Sequence, residues 1–179
     1  MILIDTETSG TNPRIHGLLS IGAVHFEQPH HTFYGECRLR DGATYDQRAL
    51  DINGFTAQQI TDTTKQTPTQ LITQFHHWIS TTADNIFAAH NPHFDQAFLQ
   101  EEYHRASIPW PFDYHLLDTY STAITIMHRL QKLPSPDLTT IRLDHILHFA
   151  GITYKRKTHN ALEDAKLEAE ALSRLLHGK

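Results

Sequence analysis

The chain has 179 residues, 39% of them hydrophobic with only 8 Gly and 8 Pro, proportions ordinary for one globular domain over residues 1–179. Its 15 Lys and Arg against 20 Asp and Glu leave a formal charge of −5, which excludes an electrostatic grip along a long nucleic-acid duplex. The single cysteine, Cys37, cannot form an internal disulfide and is consistent with a cytoplasmic setting. Residues 1–5 lack signal-peptide features, and no run approaches the roughly 20 apolar residues that span a bilayer, so a soluble chain with no membrane partner is expected.

Residues 2–6 form an apolar run that meets acidic residues, and 18–26 and 32–39 add β-branched and aromatic content, so three strands open the chain. Gly54 marks a turn, and Thr56 with Gln59 has the spacing of a capping box that starts a short helix. Thr67, Pro68 and Gln70 repeat that start signal with Pro at the first helical position. The helix they announce carries Leu71, Ile72, Phe75, Trp78 and Ile79 as an apolar stripe. Residues 86–89 read as a short strand, Asn91 before Pro92 as the cap of the next helix, 114–117 as a last strand and 119–130 as a helix. A loop over 133–139 separates these from a helix over 141–150 closed by Gly151. A final helix over 161–176 has Leu162, Ala165, Ala169, Leu172 and Leu176 on one side. Strands followed by alternating helices and strands predict an α/β layered domain with a mixed sheet. The 15 histidines are unusual, yet His30 with His31 and His76 with His77 lack zinc-site spacing and read as surface or core-edge residues.

Chemistry enters with the acids. Asp5 and Glu7 sit two apart at a strand end, where the period of two points both side chains to one face. Converging carboxylates are tolerable only when protons or a cation neutralise them, although a solvated strand end is an equal reading of this pair alone. Asp95 falls in the first turn of the helix after Asn91, where the helix dipole already favours an acid, but it also lies just past a strand end, where α/β folds build sites. His159 precedes Asn160 and Glu163, a cap and its partner, so the last helix begins near Ala161 and leaves His159 on a loop. Within one continuous helix His159 and Asp164 would lie about 140° apart; the loop lets both face a common site. Taken singly, His159 is an ordinary loop histidine and Asp164 a dipole-stabilising acid.

Taken together, Asp5, Thr6, Glu7, Thr8, Ser9 and Gly10, then His90, Asn91 and Asp95, then His159, Asn160, Ala161, Leu162 and Asp164 resemble the three signature motifs of the DEDDh exonucleases. That family includes the proofreading exonuclease subunit of bacterial DNA polymerase and ribonuclease T, and the resemblance covers almost the whole chain. It implies a ribonuclease H-like fold, a five-stranded mixed sheet flanked by helices, with two Mg²⁺ or Mn²⁺ ions held by Asp5, Glu7, Asp95 and Asp164. Oxygen-only ligands favour hard divalent cations independently of the family. The implied activity is 3′→5′ hydrolysis of the terminal phosphodiester of single-stranded or 3′-overhanging DNA or RNA, releasing nucleoside 5′-monophosphates.

In that scheme the ions, about 3.5 to 4 Å apart, share Asp5. Glu7 and Asp164 complete the nucleophile side, Asp95 serves the second ion and His159 is the general base. The cations Lys155, Arg156 and Lys157 would favour the neutral histidine, and contact with phosphates or a plain solvated loop are equal readings of them. The resemblance further places Thr8 at the terminal ribose, Asn91 close to the strand and Phe55 in the base pocket, where stacking adds about 1 to 3 kcal/mol. Thr11 and Asn53 depart from the Leu or Phe and the His usual at their positions, which puts terminal-base stacking in question. Three alternatives share these residues: a catalytically silent nucleic-acid-binding module, a phosphoesterase of short oligonucleotides, and a proofreading subunit bound to a polymerase. The short stretch after the last helix favours a stand-alone enzyme over the last of these.

Overall fold

Alternation along the first strand organises the structure. A computed structural model describes residues 1–154 and 158–178, and in it β1 spans Ile2–Thr8, β2 Leu18–His25 and β3 Gln28–Glu36. Next come α1 (Gln47–Asn53), α2 (Ala57–Ile60), α3 (Pro68–Ser80), β4 (Phe87–Ala89), α4 (Pro92–Ala106), β5 (Leu116–Asp118) and α5 (Thr119–Arg129). A single 3-10 turn at Leu138–Thr140, α6 (Leu143–Phe149) and α7 (Ala161–His177) complete the order. Ile2 and Ile4 pack on one side of the sheet with Leu71 and Phe75 of α3 and Leu99 of α4. Leu3, between them, faces the other side and packs with Ala165, Ala169 and Leu172 of α7. The same period carries Asp5 and Glu7 onto the α7 side.

The sheet order is β3-β2-β1-β4-β5, with β1 antiparallel to β2, β2 antiparallel to β3, and β4 and β5 parallel to β1. The carboxyl ends of β1, β4 and β5 therefore share one edge, where open α/β sheets bind ligands. Both anticipated capping boxes form: Thr56 and Thr67 each accept from the N–H three residues on, and Gln59 and Gln70 reach back. Among the described residues no helix is long and apolar enough to cross a membrane.

Three local expectations change. The third strand begins at Gln28 and ends at Glu36 instead of covering 32–39, because a tight turn after His25 restarts pairing at once. Past Glu36 the chain peels away, with the Arg38 N–H donating to Gln66 O at 2.9 Å and the Leu39 N–H to Ile60 O at 2.7 Å. A separate helix, α1, precedes Gly54; Asp46 caps it by accepting from the Arg48 N–H, and Gly54 ends it at φ 76°, a left-handed conformation open to glycine. Asn91 does not cap α4 with its side chain but sits in the left-handed region at φ 64°, a conformation Asn tolerates.

Gly22, directly opposite Asp5, is where α7 meets the sheet: a Cβ there would lie 2.1 Å from the Ala161 carbonyl carbon and 2.2 Å from Leu162 N. Backbone cannot yield as a flexible side chain does, so Gly22→Ala forces the start of α7 outward. The expected loss is about 1–3 kcal/mol, read as a lower Tm in thermal denaturation; an unchanged Tm would show that α7 does not depend on this close approach.

Candidate functional site

Each acid reaches the sheet edge by its own device. Asp5 and Glu7 come from β1, and the intervening Thr6 points the other way, where its N–H and its hydroxyl both donate to Asp95 Oδ1, at 2.9 and 2.8 Å. Thr6 thus latches the first turn of α4 onto β1. The turn entering α4 is held through the Asn91 N–H, which donates to Asp118 Oδ1 at 3.1 Å. Asn160 starts α7 as anticipated, its Oδ1 accepting from the Glu163 N–H at 3.1 Å, while Glu163 pairs with Lys166 at 3.0 Å.

His159 precedes that cap on a loop, its N–H donating to Ile52 O at the end of α1 at 3.1 Å. Its Nδ1 lies 3.6 Å from Asp164 Oδ2, and its side chain is 42% exposed while Asp164 is buried. Glu7, His159 and Asp164 each offer one ligand atom within 4.8 Å of the others. Residues 152 positions apart in the chain, 7 and 159, thus meet, as the loop position of His159 requires.

Burial and mutual repulsion dominate the electrostatics. The Asp5 carboxyl is driven well above the usual carboxylate range by burial first, then by the charges of Asp95, Glu7, Glu168 and Asp164. Burial pushes Asp95 up to about 7, although both Thr6 bonds act to lower it. Glu168, unforeseen in the sequence, is 2% exposed one turn beyond Asp164 and is raised well above the usual range by burial, then by Asp95 and Asp164. The four-residue spacing from Asp164 on an Ala-rich helix face was the signal for it.

Asp5, Glu7, Asp95 and His159 line a cavity of about 580 Å³, with Thr8, Asn91 and Thr11 beside them, and Asp164 and Glu168 are not in its lining. Phe55 lies next to this cavity and not in its lining. It lines an adjoining pocket of about 180 Å³ shared with Glu7 and His159, packs against the cluster of Leu19, Leu39, Leu50 and Ile60, and carries Lys65 Nζ 5.5 Å from its ring centre. The ring is thus only partly buried, with one side on this cluster and a cation near it. Asn53 is a latch: its Nδ2 donates to Thr8 O at 3.0 Å and its Oδ1 accepts from the Phe55 N–H at 3.1 Å. Lys155, Arg156 and Lys157 lie outside the described residues.

The profile of the 3′-5′ exoribonuclease Rv2179c-like domain matches residues 1–176. Over 177 residues the chain is 27% identical to the 3′-5′ DNA exonuclease Cap18 of Escherichia coli, covering 94% of this chain and 87% of that protein. Over 181 residues it is 23% identical to the PolC-type DNA polymerase III of Thermotoga maritima, covering 98% of this chain but only 12% of the polymerase. Among solved structures, the nuclease domain of 3′hExo, a DEDDh family member bound to rAMP, superposes with a TM-score of 0.73 at 17% identity, covering 99% of this chain and 92% of that one. E. coli exonuclease I in complex with a dA16 oligonucleotide superposes with a TM-score of 0.76 at 19% identity, covering 99% and 40%. The fold is therefore ribonuclease H-like, the five-stranded mixed sheet with flanking helices that the motifs implied.

The clustered acids predict a stability that depends on pH and on a neutralising cation. Asp5, Asp95 and Glu168 hold protons more tightly folded than unfolded, so their contribution is fully present below the ordinary carboxylate range and is lost as pH rises through the folded value, about 7 for Asp95. In chelator, Tm should fall between pH 5 and 8, and Mn²⁺ should restore it most at the alkaline end. A Tm that is flat over this range, or a Mn²⁺ effect independent of pH, would count against the shared site.

Proposed function

Since the chain belongs to the family of 3′-5′ exoribonuclease Rv2179c-like domains, and with it to the DEDDh exonucleases whose signature residues it carries, we propose that it removes nucleotides from the 3′ end of a strand. The bond hydrolysed is the terminal phosphodiester of single-stranded or 3′-overhanging DNA or RNA, the product a nucleoside 5′-monophosphate, and residues 1–179 act as one exonuclease domain. The observation that carries this reading is the convergence of Glu7, His159 and Asp164 within 4.8 Å beside a cavity that Asp5 and Asp95 also line.

The donor set fits hard divalent cations: it is rich in carboxylate oxygens, and burial plus mutual repulsion leaves those carboxylates in need of neutralising charge. Asp5, Glu7, Asp95 and Asp164 would hold two Mg²⁺ or Mn²⁺ ions. Bound there, the ions supply Lewis acidity at the phosphoryl oxygens and lower the pKa of a coordinated water.

The remaining work belongs to side chains of this chain. His159, partly exposed on a loop anchored at Ile52 O, accepts the proton of the attacking water, and Asp164 beside its Nδ1 orients the ring. Thr6 keeps Asp95 Oδ1 occupied, so this carboxylate cannot rotate freely. Thr8, whose carbonyl Asn53 fixes, and Asn91 line the cavity and seat the terminal nucleotide.

A digest of 5′-labelled single-stranded DNA, single-stranded RNA and duplexes with 3′ overhangs in Mg²⁺ or Mn²⁺ should give a ladder shortening from the 3′ end. Chelator or Asp5→Ala should abolish it, and His159→Ala should slow it by about 10²- to 10⁴-fold. Release of one short 5′ fragment would reverse the polarity, and full activity in Asp5→Ala would move the chemistry elsewhere.

A further inference from the structure

A strand that enters this cavity brings more phosphates than the one cleaved, and a chain of net charge −5 offers them little general attraction. Among the described residues that line the cavity, Arg142 is the one Lys or Arg. It stands at the start of α6, on a wall formed by the 3-10 turn and separate from the elements that carry the acids. Its position is built. Nη1 donates to Thr139 O at 2.6 Å and lies 3.5 Å from Ile141 O, and the Arg142 N–H donates to His145 Nδ1 at 3.0 Å. The Tyr120 hydroxyl donates to Leu138 O at 2.6 Å, tying this loop to α5, and the Tyr120 ring meets His90 edge-on at 5.4 Å. The wall bearing Arg142 is thereby joined to the turn that leads into α4 and Asp95.

These guanidinium bonds go to backbone carbonyls and not to a carboxylate. Binding through Nη1 leaves Nε and Nη2, donors whose planar fork matches the oxygens of a phosphodiester. We propose that Arg142 binds a backbone phosphate on the 5′ side of the cleaved bond, so that the site selects a polynucleotide strand over an ester carrying a single phosphate. The assignment rests on the exonuclease reading and adds a recognition residue that the metal-binding acids do not supply. The strand enters with its 3′ end at the acids and an upstream linkage at the guanidinium.

The test uses a 5′-labelled strand in which one uncharged methylphosphonate is moved stepwise through the linkages upstream of the terminal one. With the unaltered protein, one position should lower kcat/KM about 10- to 100-fold, the scale of a hydrogen bond to a charged group. Arg142→Ala should show that loss on the all-phosphate strand and no further loss at that position, and its log–log salt slope should be shallower by about 0.7. Arg142→Lys should recover part of the rate, since it keeps the charge without the fork. Binding of the same strands, followed by fluorescence anisotropy, should show the same linkage dependence and decides the assignment even when no strand is shortened, an outcome that would sink the exonuclease reading alone. The assignment is overturned when no upstream neutral linkage weakens binding, or when Arg142→Ala stays as sensitive to that linkage as the unaltered protein, which would leave Arg142 a cap of α6 only.

Discussion

Repulsion among buried acids is the constraint on which this structure depends. Asp5, Glu7, Asp95, Asp164 and Glu168 come from one strand and two helices into a space where their charges raise the Asp5 carboxyl's hold on its proton. At an effective dielectric typical of sites near a protein surface, two like charges 4 Å apart repel by about 4 kcal/mol. That is comparable to a large part of the roughly 5 to 15 kcal/mol that keeps a domain folded. The scaffold must therefore hold the acids together against their own charges, and a cation that binds there returns free energy the fold has given up.

The holding devices can be named. Gly22 lets the start of α7 press against β2 opposite Asp5, which brings Asp164 and Glu168 to the sheet. Thr6 clamps Asp95 with two bonds, and Asp118 fixes the backbone of the turn before it. The Ile52 carbonyl anchors His159 in reach of Asp164 while leaving its ring partly exposed. Stability and chemistry are divided by depth: apolar packing on both faces carries the fold, and the polar latches at the sheet edge set the distances that catalysis needs. Asn53 falls on the structural side of that division, tying α1 to the end of β1.

Much of the architecture was legible because its signals are local. The apolar run of β1, the capping boxes at Thr56 and Thr67 and the cap at Asn160 all act within about one turn or one strand, and all are present. The misreadings arose where a distant partner overrides a local preference. Asn91 before Pro92 resembles a side-chain cap, but Asp118, 27 residues away, binds its backbone and the residue turns left-handed. Residues 37–39 have strand composition, yet after the Cys37 N–H bonds Leu19 O of β2, the N–H groups of Arg38 and Leu39 find partners at Gln66 and Ile60, and the chain leaves the sheet.

The sequence by itself determined which residue types sit at the ends of which elements, and the period of two in β1 already placed Asp5 and Glu7 on one face. It also carried the three motifs from which the family could be recognised. Only the tertiary structure decided that Glu168 joins the acids, that Phe55 lines a pocket beside Glu7 and His159, and that Arg142 shares a cavity with Asp5. The physical reason is range: propensity, capping and alternation are settled by neighbours in the chain. Convergence is settled instead by the crossover that sets β4 beside β1 and by the packing of α7 across the sheet, which join residues more than 80 positions apart.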